Sequence, residues 1–154
     1  MTNVNHTIPK GTSDEHYTPK FIFDDLGLIF DLDVAAPKQV CHVPALHKFD
    51  IDKDGLKQNW FGNVWMNPPY SKPTPWVEKF VAHKQGIALL PVTRGKWWDK
   101  LWQEADAIMP LSYNVHFDRP DGFKARPIVF RTCLYAFGEI NVNALHKFNK
   151  ARIR

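Results

Sequence analysis

Two consecutive prolines, Pro68 and Pro69, follow directly on the segment Asn63-Val64-Trp65-Met66-Asn67. A proline has no backbone N–H and a fixed φ, so neither a helix interior nor a central strand passes through such a pair. Pro68 also drives Asn67 into an extended conformation. A strand must therefore stop at Asn67, and the chain leaves it as a rigid turn ending in Tyr70. The turn carries an amide side chain, two backbone carbonyls and an aromatic ring. Such a set suits a flat ring with an exocyclic amino group: the carbonyls accept its N–H bonds and the tyrosine stacks on its face. Four residues also fit a plain strand-to-loop stop, since Asn-Pro is a common turn signal. The rest of the chain has to decide.

Strand and helix patterns alternate on both sides of this turn. Residues 1–15 are polar and aperiodic and read as an arm, leaving 16–154 as a single domain. With Thr18 as N-cap and Pro19 at N1, the spacing of Phe21, Ile22, Leu26 and Ile29 predicts a helix of about ten residues, weakened at its end by Gly27. Phe30-Asp31-Leu32-Asp33-Val34-Ala35-Ala36-Pro37 reads as a buried strand with Asp33 at its carboxyl end. Residues 38–62 read mostly as loop, with one short strand. Trp76, Val77, Phe80 and Val81 have helical spacing, with Pro75 in the first turn and Gly86 as terminator. The continuous apolar run Ile87–Val92 is expected of a strand covered on both faces. Trp97–Ala105 reads as helix. Ala107–Met109, Asn114–Phe117, Ile128–Arg131 and Thr132–Phe137 are strand candidates, the last two forming one long strand or a hairpin. Asn141–Arg154 reads as a basic helical tail. The alternation predicts an α/β fold with a mostly parallel sheet and antiparallel C-terminal strands.

Composition narrows the class. Hydrophobic residues make up 44% of the 154, with six Trp, which excludes a disordered chain. The formal net charge of +4 suits a nucleic-acid partner. Two cysteines, Cys41 and Cys133, form no disulfide framework and point to a reducing compartment. No apolar run reaches membrane-spanning length and the N-terminus shows no signal-peptide pattern, so a cytosolic protein with no membrane partner is expected. Cys41, His42 and His47 lack a recognised metal spacing and a fourth ligand, so no metal is expected.

Taken in order, Tyr17-Thr18-Pro19, Phe30-Asp31-Leu32-Asp33-Val34-Ala35-Ala36, Asp54-Gly55-Leu56, Trp60, Asn63-Val64-Trp65-Met66-Asn67-Pro68-Pro69-Tyr70-Ser71, Leu89-Leu90-Pro91-Val92-Thr93 and Trp97-Trp98 resemble the phage-type DNA N6-adenine methyltransferase (Dam) family. The resemblance spans about residues 14–137. It implies a Rossmann-like S-adenosylmethionine-dependent methyltransferase fold, S-adenosylmethionine as cofactor, DNA as partner, and a phage or prophage protein acting in a bacterial cytoplasm. It places Tyr17, Thr18, Pro19, Asp33, Ala35 and Asn67 at the cofactor, with Asp33 holding the amino group of the methionine portion. It makes Asn67, Pro68, Pro69 and Tyr70 the catalytic motif. One departure stands out: Val34-Ala35-Ala36-Pro37 replaces the glycine-rich turn common in methyltransferase cofactor loops. Asp50, Asp52 and Asp54 are candidates for the ribose, or simply a solvated acidic loop.

For DNA contact, the candidates are Tyr70, Arg94, Lys96, Arg119, Lys124 and Arg126, together with Arg131 and the tail residues Lys147, Lys150, Arg152 and Arg154. Around Trp97, Trp98 and Trp102 the basic residues Arg94, Lys96 and Lys100 also fit an amphipathic helix that buries Trp98 and Trp102, and that reading is the stronger one. The chain has no room for a separate target-recognition domain, so target discrimination is expected to be modest or to sit in loops around 110–127. The oligomeric state is left open between monomer and weak dimer. Two other readings stay open: a DNA-binding protein that keeps the fold but binds no cofactor, and an enzyme acting on an RNA base or a protein glutamine.

Overall fold

The structure is a computed structural model, and it describes residues 17–39, 41–111 and 131–148. Ten elements follow in chain order: α1 Lys20–Leu26, β1 Phe30–Asp33, β2 Ala45–Lys48, β3 Val64–Met66, α2 Thr74–His83, β4 Gly86–Pro91, α3 Lys96–Glu104, β5 Ala107–Pro110, β6 Thr132–Phe137 and α4 Glu139–Phe148. The six strands form one sheet in the order β2-β1-β3-β4-β6-β5. The pairs β2–β1, β1–β3 and β3–β4 are parallel, while β6 runs antiparallel to both β4 and β5. The expected mostly parallel α/β sheet is therefore present. Of the two described C-terminal strands only β6 is reversed; β5, across β6, points the same way as β4. The strand candidate Asn114–Phe117 and, except for Arg131, the candidate Ile128–Arg131 lie outside the described residues, as do the 1–15 arm and the end of the basic tail.

Side chains alternate across the sheet and divide the core in two. On one face Trp65, Ile87, Leu89, Leu134 and Ala136 pack with Ile22, Phe23 and Leu26 of α1 and Ala144 and Leu145 of α4. On the other, Val64, Met66, Ala88, Leu90, Cys133, Tyr135 and Phe137 pack with Val77, Phe80 and Val81 of α2 and Leu101 of α3. The period-2 switch along β3, β4 and β6 is the strand pleat itself. All six residues of β4 are buried, as its continuous apolar run requires.

A polar pair ties the residue before β3 to α4. Asn63 Nδ2 donates to Asn141 Oδ1 (2.9 Å), and Asn141 Nδ2 donates back to Asn63 Oδ1 (2.6 Å) and to the Phe137 carbonyl (2.8 Å). Both residues are buried. Replacing Asn141 with Leu leaves a buried amide unpaired, so N141L is expected to lose about 1–3 kcal/mol of stability. Urea denaturation measures it; an unchanged midpoint would mean the pair is dispensable.

Several local expectations are corrected. Helix α1 has seven residues, not about ten, because Gly27 adopts the left-handed conformation (φ 64°) and caps it; Ile29 then lies beyond the helix, 71% exposed. Its N-cap is the extended Pro19, not Thr18, and no side chain caps it. Helix α2 ends at Lys84, which takes the left-handed cap position, and Gly86 instead opens β4. A Cβ at Gly86 would stand 2.3 Å from the Val64 carbonyl oxygen, so the glycine is required by close approach to β3 and not by the helix. In α3 only Leu101 is fully buried; Trp98 is half-buried and Trp102 is 59% exposed, stacked on Trp98 with ring centroids 5.5 Å apart. Among the described residues no helix is long and apolar enough to cross a membrane.

Candidate active site

The sheet reverses its winding between β1 and β3. From β1 the chain moves outward to β2, then returns across β1 to β3 and continues through α2 to β4. Connections on the two sides diverge there, opening a crevice beyond the carboxyl ends of the strands, which is where open α/β sheets bind ligands. A cleft of about 730 Å³ occupies this point. Its size is that of a small-molecule site, roughly 300–1,000 Å³.

β1 delivers Asp33 to the cleft floor and β3 delivers Asn67, with Asp33 paired in register to Trp65. Asp33 is 2% exposed. Its Oδ1 accepts one bond, from the Ala35 N–H (3.3 Å), and among the described residues it has no ion-pair partner. Burial pushes its carboxyl up to about 7, against smaller opposing effects of the Ala35 N–H and of Lys48 on the neighbouring strand. A buried carboxyl in that condition can receive a cation.

Asn67 donates from Nδ2 to Thr18 Oγ1 (3.2 Å). Because Pro19 serves as the N-cap, the Thr18 hydroxyl is not spent on α1 and faces the strand end instead. Tyr70 is half-buried, and its hydroxyl donates to the Leu89 carbonyl (3.1 Å). Burial holds its phenol far above the usual range. The ring is thus fixed beside the turn; Tyr70, Pro68 and Pro19 do not line the cleft, whereas Pro69 does. Of the other positions considered at the cofactor, Tyr17, Thr18, Asp33, Ala35 and Asn67 all line the cleft.

The acidic candidates separate. Asp50 and Asp54 stand in the cleft wall, while Asp52 does not and instead pairs with Lys38 (2.9 Å). Asp50 Oδ1 accepts from the N–H groups of Asp52 and Lys53, which builds the tight turn of the loop. The loop is bound to α2 at its far end. Lys79 Nζ donates to the carbonyls of Leu56 (2.8 Å) and Gln58 and lies 5.4 Å from the Trp60 ring; Trp60 donates to the Gly55 carbonyl (2.8 Å). Trp60 also stacks on Trp76, which closes the cleft from the α2 side. Gly55 is pressed against the end of β1: a Cβ there would sit 2.0 Å from the Val34 carbonyl oxygen. Gly55→Ala is therefore expected to displace the wall, lowering the melting temperature and weakening any ligand in the cleft several-fold. Calorimetric titration beside a thermal melt checks both; a variant matching the parent in each would show that the loop yields freely.

Sequence reasoning missed the apolar lining: Val43, Phe49, Ile51, Trp65 and Trp76, with Cys41 and Lys72 at the wall. The acidic turn at 50–54 and the Asp54-Gly55-Leu56 and Trp60 pieces of the resemblance were the signals that pointed to this loop. Among the described residues no group of three His, Cys, Asp or Glu side chains is placed to hold a metal. Of the nucleic-acid candidates, Arg94, Lys96 and Arg131 are exposed near the carboxyl end of β4, where α3 begins and β6 starts. Arg119, Lys124, Arg126, Lys150, Arg152 and Arg154 lie outside the described residues.

Comparison with known proteins gives the family. The DNA N-6-adenine-methyltransferase of Haemophilus phage HP1 (strain HP1c1) is 30% identical over 124 residues, covering 73% of this chain and 69% of the relative. That of Escherichia phage T1 is 30% identical over 105 residues, covering 56% of this chain and 42% of the relative, so the chain spans only about two fifths of it. No solved structure matches. The family model for DNA N-6-adenine-methyltransferase (Dam) matches residues 5–125, including Asp33 and the whole Asn67–Tyr70 turn, and the chain belongs to that family.

Proposed function

We propose that this chain transfers the methyl group of S-adenosylmethionine to the N6 amino group of adenine in DNA, on a Rossmann-like methyltransferase fold. The observation that carries the reading is the meeting of Asp33 and Asn67 in one cleft at the winding reversal of the sheet. The names of the phage relatives support adenine in DNA as the substrate.

The residues present fit the cofactor. Asp33, buried and without an ion-pair partner among the described residues, suits the ammonium of the methionine portion. Asp50 and Asp54 suit the ribose hydroxyls, and Phe49, Ile51 and Trp76 offer apolar surface to the adenine ring of the cofactor. When bound, S-adenosylmethionine supplies an electrophilic methyl on a sulfonium.

The protein's part is orientation. An adenine N6 lone pair is delocalised into its ring and attacks poorly. Asn67 Oδ1 and the Pro68 carbonyl accept the two N6–H bonds, which favours a tetrahedral nitrogen with its lone pair directed at the methyl. Both acceptors also stabilise the positive charge that develops on nitrogen. Transfer would be direct, with no covalent enzyme intermediate: the N6–CH3 bond forms as the sulfonium S–CH3 bond breaks, the neutral thioether leaves, and the surplus N6 proton is lost to water. The target adenine has to leave the duplex to reach this turn. Tyr70, held by the Leu89 carbonyl, is a preset ring for it to stack on. Arg94, Lys96 and Arg131 would meet the phosphates.

Transfer of labelled methyl from S-adenosylmethionine to unmethylated duplex DNA, followed by nucleoside analysis, tests the reading. Label in N6-methyladenosine is the expected result. Cofactor binding without DNA labelling would redirect the search to RNA or protein substrates, and absence of both would leave a DNA-binding protein.

A further inference from the structure

We infer that Thr18 is a positioning residue for methyl transfer, acting through Asn67: it holds the amide so that Oδ1, and not Nδ2, meets the target amino group. The inference rests on the function proposed above. A planar amide has two ends of nearly equal shape and opposite polarity. Only the oxygen end can accept an N–H; the nitrogen end would set donor against donor. An aspartate at this position has no such ambiguity, because its two oxygens are equivalent. This chain carries the amide, and its structure supplies what the amide needs. Nδ2 of Asn67 donates to Thr18 Oγ1 at 3.2 Å, across 49 residues of sequence. Thr18 is 3% exposed, so its own side of the bond is shielded from bulk water. Its backbone is held by Pro19, whose carbonyl accepts the Ile22 N–H (3.2 Å) at the start of α1, and Ile22 is itself fully buried. Thr18 is thus anchored to the core independently of the turn it steadies.

Thr18 also lines the cleft, so a direct contact with the cofactor is the competing account. A double-mutant cycle separates the two. In the parent chain, Thr18→Val is expected to lower kcat about 10- to 100-fold, the usual range for losing a group that orients a functional one, with KM for S-adenosylmethionine changed less than about threefold. Thr18→Ser, which keeps the hydroxyl, is expected to restore kcat. In the N67D background, where no end has to be chosen, T18V is expected to cost less than about threefold. An equal loss in both backgrounds, a rise in KM alone, or full activity of T18V would overturn the inference. A second readout needs no turnover: hydrogen exchange of the Asn67 side-chain amide, followed by NMR on the ¹⁵N-labelled full chain. Exchange should be slow in the parent and T18S proteins and fast in T18V. If the parent transfers no methyl to DNA, the functional reading fails on its own, and unchanged exchange in T18V would then sink this inference as well.

Discussion

Asn67→Ala is expected to lower kcat for adenine methylation by about 100- to 1,000-fold, the range for removing one preorganised hydrogen-bonding group from a reacting centre. The affinity for S-adenosylmethionine should change little, because the anchor proposed for its ammonium is Asp33, and Phe49, Ile51 and Trp76 line the same cleft. The fold should survive, since Asn67 is only half-buried and the strand stop is enforced by Pro68 and Pro69. Single-turnover methylation beside a cofactor titration makes the comparison. Near-normal turnover would remove Asn67 from the chemistry, and a matching loss of cofactor affinity would reduce it to a wall residue.

Asp33→Asn carries the second large effect, and it has opposite signs in the empty and occupied protein. The folded carboxyl is pushed up to about 7, from an ordinary value of 3.8 in the unfolded chain. Between these values the folded state binds more protons, so the stability associated with Asp33 is complete below about 4 and is lost as pH rises to about 7. The ligand-free protein is therefore destabilised at neutral pH by a carboxylate that has no ion-pair partner among the described residues, on the order of a few kcal/mol. Asp33→Asn relieves this, so the ligand-free variant should unfold at higher urea than its parent at pH 8 and show a flatter stability profile between pH 4 and 7. Its affinity for S-adenosylmethionine should fall by at least about tenfold, the scale of one hydrogen bond to a charged group. In the parent protein cofactor affinity should rise with pH through about 7, because the ammonium is received by the ionised form. Melts with and without cofactor across this range show both effects. A variant less stable than its parent at pH 8 would mean that Asp33 is satisfied within the fold.

What could be read from the sequence was set by local chemistry. The stop at Asn67 follows from Pro68 and Pro69 alone, and β1 ending at Asp33 follows from a short apolar alternation closed by small residues. Joining Asp33 to Asn67 required only the rule that parallel strands share a carboxyl edge. Positions decided by contacts distant in sequence were not legible. Gly86 looks like a helix terminator until Val64 is seen beside it. Trp102 looks like a core residue until Leu101 is seen to fill the space under α3 and Trp98 to cover only one of its faces. Thr18 reads as a cap in any one-dimensional view, although its hydroxyl faces residue 67. Val43, Phe49 and Ile51 had no signature, since they lie outside or at the edge of short elements and obey no period, while Trp65 and Trp76 were read as strand and helix residues with nothing to show that they face a cleft.

The attachment of the 50–62 loop to α2 has a consequence for how the cleft fills. Lys79, Trp60 and His83, whose Nε2 lies 2.8 Å from the Gly62 carbonyl, make the loop and the helix one splint. Its helical half, α2, begins four residues after Tyr70, so the braced wall of the cleft follows directly on the Asn67–Tyr70 turn. A hinged lid needs a weak seam, and this side of the cleft has none. The backbone amides of 54–58 should then exchange at similar rates in the empty and loaded protein, and cofactor should enter by sliding past a standing wall.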